Sequence, residues 1–208
     1  MDIIPQASLF LGIIPALFIL FIGLKGYDGY YKEKNIFLSF IIGIILGVVA
    51  AVIEILSLSI GFLIIIIFPI LEQIIKLMAL NLRRLQRKKS TVIYGLSLGL
   101  GFGSVFTPIS LILANFEVES IILMTSVIIG SIGLILLQAG TGILLGYGVF
   151  TGNISRYYIF TLIIHIPFTA WFFLTGLYQI EQTQFLLIFY GILVYWYSSN
   201  MVMKKILK

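Results

Sequence analysis

Long apolar runs alternate with short polar stretches along the chain, and each run approaches the ~20 residues that a helix needs to cross a bilayer. Seven such runs are predicted, at about 6–24, 36–56, 60–80, 91–114, 121–150, 158–177 and 185–203, with a minimal turn at 57–59 between the second and third. The first lacks a basic stretch before it and a small-residue cleavage site after it, so it reads as a span rather than a signal peptide. The fifth is longer than a bilayer requires, which predicts tilt or projection into water. Inside the fourth run, Gly95, Gly99 and Gly103 recur every fourth residue in YGLSLGLGFGSVF. At ~3.6 residues per turn they form a stripe without side chains down one helix face, into which another helix fits at close range. This helix is predicted to be the centre of an all-α bundle, its stripe serving either internal packing or another protein's helix.

Composition agrees with that pattern. The 208 residues are 61% hydrophobic and 10% charged, with a mean hydropathy of +1.17, far below the ~25% charge of a soluble domain. Seven spans leave no room for a second domain, so residues 1–208 read as a single polytopic membrane domain in contact with the lipid bilayer. The absence of Cys excludes disulfides, thiolate metal sites and a Cys nucleophile.

Placing the charges on alternate sides gives an orientation. Lys25, Lys32 and Lys34 follow span one; Arg83, Arg84, Arg87, Lys88 and Lys89 follow span three; Arg156 follows span five; Lys204, Lys205 and Lys208 form the tail. The other side carries Asp2, Glu117, Glu119 and Glu181 and no basic residue. The positive-inside rule then predicts an outside N-terminus and a cytoplasmic C-terminus. The run from Arg83 to Lys89 reads as a topology signal and a site for anionic headgroups, not as a nucleic-acid surface. Asn153-Ile154-Ser155 fits the glycosylation pattern, but falls on the cytoplasmic side. The expected location is the plasma membrane of a prokaryote.

Few polar residues remain within the spans. Glu72 and Lys76 lie one turn apart on span three, beside Gln73; Gln138 is in span five, His165 in span six, and Glu54 near the outer end of span two. Depth counting at ~1.5 Å per residue groups Glu72, Gln138 and His165 in the cytoplasmic half, around span four. Such residues are costly in lipid and mark candidate sites. Glu72 and Lys76 read either as a self-neutralised pair or as part of a proton-handling or substrate site. His165 reads as an interhelical hydrogen bond or a functional group, and Gln138 as an interhelical bridge.

The ordered set EQIIK, a basic loop, YGLSLGLGFGSVF, LLQAGTGILLGYGVF and IIHIPFTAWFFLTG, covering about 69–202, resembles the membrane-protease superfamily of PrsW and the CAAX prenyl proteases. It resembles still more closely the gamma-secretase scaffold subunit of the anterior-pharynx-defective family. That resemblance implies seven spans, an outside N-terminus, a packing role for Gly95, Gly99 and Gly103, and a cavity among spans two, three, four and six that admits a partner's helix or C-terminus. The PrsW-like enzymes carry paired glutamates in the first motif, a glutamate after the glycine-rich stretch and histidines in later spans, which hold or activate water. Here Gln73 stands beside Glu72, Phe106 followed by Thr107 takes the second glutamate position, and Gln138 takes the first histidine position, where the scaffold subunit also carries histidine. Glu72, Lys76 and His165 are left, too few for a metal site that normally has three protein ligands. No metal or cofactor is expected. The resemblance implies a non-catalytic scaffold packing with a partner such as a presenilin-type protease; the alternatives are an active glutamate-dependent endopeptidase using Glu72 and His165, and a substrate-binding transport component.

Overall fold

The computed structural model describes residues 4–113 and 121–207; Asp2, Glu117, Glu119 and Lys208 lie outside them. Among the described residues the chain forms seven α-helices and no strand: α1 (Ile4–Gly23), α2 (Glu33–Leu56), α3 (Ile64–Leu80), α4 (Ser90–Leu113), α5 (Ile121–Thr151), α6 (Ile154–Leu177) and α7 (Leu187–Tyr197). Tight 3₁₀ turns at Leu58–Leu63 and Glu181–Leu186 lead directly into α3 and α7. After α7 the backbone widens into a π turn over Ser198–Val202.

Five stretches are long and apolar enough to cross a bilayer, namely Glu33–Leu56, Ile60–Leu80, Ile122–Thr151, Ile154–Leu177 and Glu181–Leu207. Shorter apolar stretches occupy Phe10–Gly23 and Ser90–Phe106. The chain is a multi-pass integral membrane protein. Large apolar side chains such as Phe18, Phe37, Phe62, Phe189 and Trp196 point away from the protein interior, as expected of surface solvated by acyl chains rather than water.

The helix at the centre is α4, in which every residue from Thr91 to Phe106 is buried. It packs against α1, α2 and α5, and glycines make each seam close. A Cβ at Gly95 would collide with the carbonyl of Gly142, and one at Gly99 with the carbonyl of Gln138, both on α5. At Gly103 it would press on the Cα of Ile135 and the side chain of Gln138. The stripe therefore faces α5, inside the bundle. Gly101 instead meets the Phe40 carbonyl of α2, and Ser97 Oγ donates to the Ile36 carbonyl at 2.7 Å. With backbones this close, dispersion and short polar contacts hold the helices together without help from a hydrophobic effect, which is weak in lipid.

The basic segments gather at one end of the bundle. The Lys89 ammonium sits 5.7 Å from the Tyr30 ring centroid, Arg87 Nη1 donates to the Thr151 carbonyl at 2.8 Å, and the Lys205 ammonium lies 5.8 Å from the Tyr147 ring. These contacts tie the segments after α1, α3 and α7 to one another and to the end of α5. One boundary differs from the sequence expectation. α6 begins at Ile154, not near residue 158, because Gly152 turns the chain with a positive φ of 77° and helix resumes after Asn153. Arg156 and Tyr157 therefore lie in its first turn.

Candidate functional site: a buried polar network

Five of the six in-span polar residues singled out from sequence come together. Glu72, Gln73 and Lys76 project from α3, Gln138 from α5 and His165 from α6, and all are at most 2% exposed. Glu72 is the midpoint of α3, and His165 is central in α6.

Lys76 does not meet Glu72 directly: among the described residues the one carboxylate contact within ion-pair range is His165 Nε2 to Glu72 Oε2, at 3.0 Å. The Gln138 amide is wedged between acid and base. Its Nε2 donates to both Glu72 oxygens, at 3.1 and 3.0 Å, while its Oε1 accepts from the Lys76 ammonium. Only one amide orientation serves both neighbours, since the nitrogen must face the carboxylate and the oxygen the ammonium. Lys76 Nζ also donates to Thr141 Oγ1 at 2.8 Å and lies 5.2 Å from the Phe102 ring centroid. Thr141 Oγ1 in turn donates to the Gln138 carbonyl at 3.2 Å.

His165 is held from both sides. With its proton on Nε2 it donates to Glu72, and Nδ1 accepts from Gln73 Nε2 at 2.6 Å. The histidine lone pair is therefore occupied. Tyr190 braces the same turn, its hydroxyl donating to the Ile164 carbonyl at 2.7 Å. Proline lies close by on both helices, at Pro69 and Pro167, where each removes one backbone donor.

Glu54, which depth counting separates from the cluster, lines the same small cavity as Glu72 and His165. Its Oε2 is buried and has no hydrogen-bond partner among the described residues. The cavity measures about 20 Å³ and is otherwise walled by Phe68, Phe106, Leu134, Phe168 and Phe172, with Thr169. That volume holds a single water molecule. Leu134 of α5 contributes to its wall. Phe106 occupies one wall. Among the described residues no three His, Asp or Glu side chains converge as metal ligands.

Sequence reasoning also misses Thr141 and Phe102. Thr141 had a usable signal, since it sits one turn from Gln138 on the same face of α5. Phe102 had none, because a phenylalanine in an apolar helix is indistinguishable from any other core ring. No family model, no curated protein and no solved structure matches the chain.

Proposed function

We propose that this chain is a non-catalytic membrane scaffold of seven spans, its N-terminus outside and its basic loops in the cytoplasm. Its partner is a polytopic membrane protein of the presenilin-protease type, met through lipid-facing surfaces rather than the internal cavity. The observation that carries the non-catalytic reading is the engagement of His165 and Glu72 by the amides of Gln73 and Gln138, which leaves Gln73 Oε1 as the one network atom without a partner among the described residues. A general base needs a free lone pair near the reacting water. The imidazole lone pair of His165 is engaged by Gln73, and Glu72 Oε2 accepts from both Gln138 and His165. A void of about 20 Å³ also has no room for a peptide. The network supports interhelical register instead, with the polar groups of α3 bonded to Gln138 and Thr141 of α5 on one side and to His165 of α6 on the other.

A second reading, an active glutamate-dependent endopeptidase, draws on Glu54. Two carboxylates and an imidazole around a water-sized void are the components of water activation. The purified chain, reconstituted in nanodiscs with transmembrane peptide substrates, separates the two. A scaffold shows no cleavage above the protein-free blank, and Glu72→Gln leaves proteolysis by a copurified protease partner within about twofold. Cleavage by the chain alone that is abolished in both Glu72→Gln and Glu54→Gln overturns the scaffold.

A further inference from the structure

A second void, larger than the one beside Glu72, lies away from the polar network, at the basic end of the bundle. It measures about 390 Å³ and is bounded by the α1–α2 connection, the first turns of α2, the end of α3, the α3–α4 connection and the start of α4. Its two ends differ in chemistry. Toward the basic loops it is lined by Lys32, Arg84 and Lys88, with Asn35 and Ser90. Toward the bundle it is lined by Leu38 and Ile42 of α2, Ala79 of α3 and Leu98 of α4. No carboxylate lines it, and none of the three cations pairs with one among the described residues.

Tyr94 adds an observation independent of the charges. It is 4% exposed and lines the same void. Its hydroxyl accepts from the Lys32 backbone N–H and from Asn35 Nδ2, each at 3.2 Å. Both contacts use the oxygen as acceptor. The hydroxyl proton has no acceptor among the described residues and is left for one within the void. The N-termini of α2 and α4, each 24 residues long, also converge there and add partial positive charge.

Three unpaired cations, a buried hydroxyl donor and two helix N-termini define an anion site; an apolar wall continuing from it toward the membrane defines an amphiphile. We infer that this void binds a phosphate-bearing amphiphile, an anionic phospholipid whose phosphate is held by Lys32, Arg84, Lys88 and the Tyr94 hydroxyl. The first part of an acyl chain lies along Leu38, Ile42, Ala79 and Leu98. At about 390 Å³ the space takes a headgroup and part of one chain, leaving the remainder in the bilayer. The basic loops then do more than attract a diffuse layer of headgroups: they close around one lipid.

Native mass spectrometry of the detergent-purified chain tests this, with phosphatidylglycerol, phosphatidylcholine and inorganic phosphate as separate additions. The expected result is a one-to-one phosphatidylglycerol adduct at least tenfold more populated than the phosphatidylcholine adduct. The triple variant Lys32→Ala, Arg84→Ala, Lys88→Ala lowers it about tenfold, and Tyr94→Phe lowers it severalfold. A control triple at the same end but outside the void, Lys34→Ala, Arg83→Ala, Lys204→Ala, stays within twofold. All six altered cations are exposed, so both triples are expected to fold; a folded charge-state distribution and an unchanged helical circular dichroism spectrum verify it. Equal losses in the two triples reduce the effect to diffuse surface charge and overturn the site. Displacement of the lipid by equimolar inorganic phosphate, or equal retention of phosphatidylcholine, overturns the amphiphile assignment.

Discussion

Lys76 is the most exacting residue in the protein. It is fully buried in an apolar bundle, and its charge is answered by a carboxylate it does not touch. Removing one member of a buried charged pair leaves the other uncompensated, at a typical cost of about 3–5 kcal/mol. Lys76→Met is therefore expected to destabilise the bundle by about 3 kcal/mol, and Glu72→Gln combined with it by clearly less than the sum of the single changes. Thermal unfolding in detergent of the two single variants and the double variant measures that coupling; strict additivity would mean that the Gln138 bridge transmits nothing. The membership of the network was legible in the sequence, because Glu72, Gln73, Lys76, Gln138 and His165 are polar groups in apolar runs and have little but one another to bond. Its wiring was not. A spacing of i and i+4 identifies neighbours on one helix and is silent on an amide that a different helix inserts between them. Glu54 was seen as an in-span acid, but counting depth along separate helices could not bring it to the cavity that Glu72 shares.

At the scale of elements, the seam between α4 and α5 is set by paired absences of side chains. Gly95 meets Gly142, and Gly142 sits against Gly95 and Gly99 in return. Gly99→Leu would drive a branched side chain into the Gln138 backbone, an overpacking expected to cost about 3 kcal/mol and to displace the Gln138 amide from the network. Gly176, near the end of α6, is the opposite case: a Cβ there meets nothing within 4 Å. Gly176→Ala is expected to stabilise by about 0.5 kcal/mol through helix propensity alone. Melting curves of both variants in one detergent check the contrast, and a neutral Gly99→Leu would remove the seam from the account. The stripe and its helical period were readable in the fourth apolar run. Its partner was not, since close-packing glycines in α2, α5 and α7 leave several faces on which it could have been seated.

For the whole molecule, the gathering of basic segments at one end makes orientation directly measurable. The chain has no cysteine, so single cysteines report without background. A cysteine replacing Arg83 is expected to resist a membrane-impermeant maleimide in intact cells, and one replacing Gln182 to react; the reverse pattern would invert the proposed topology while leaving the fold as described. The bundle also imposes an order on its own biogenesis. α4 is enclosed by α1 and α2, made before it, and by α5, made after it. A nascent chain halted at the end of α4 presents its bare glycine groove to lipid or to the insertion machinery until the next helix emerges. The protein's axle is thus finished before its casing, and the interval between them is when a membrane chaperone has something to hold.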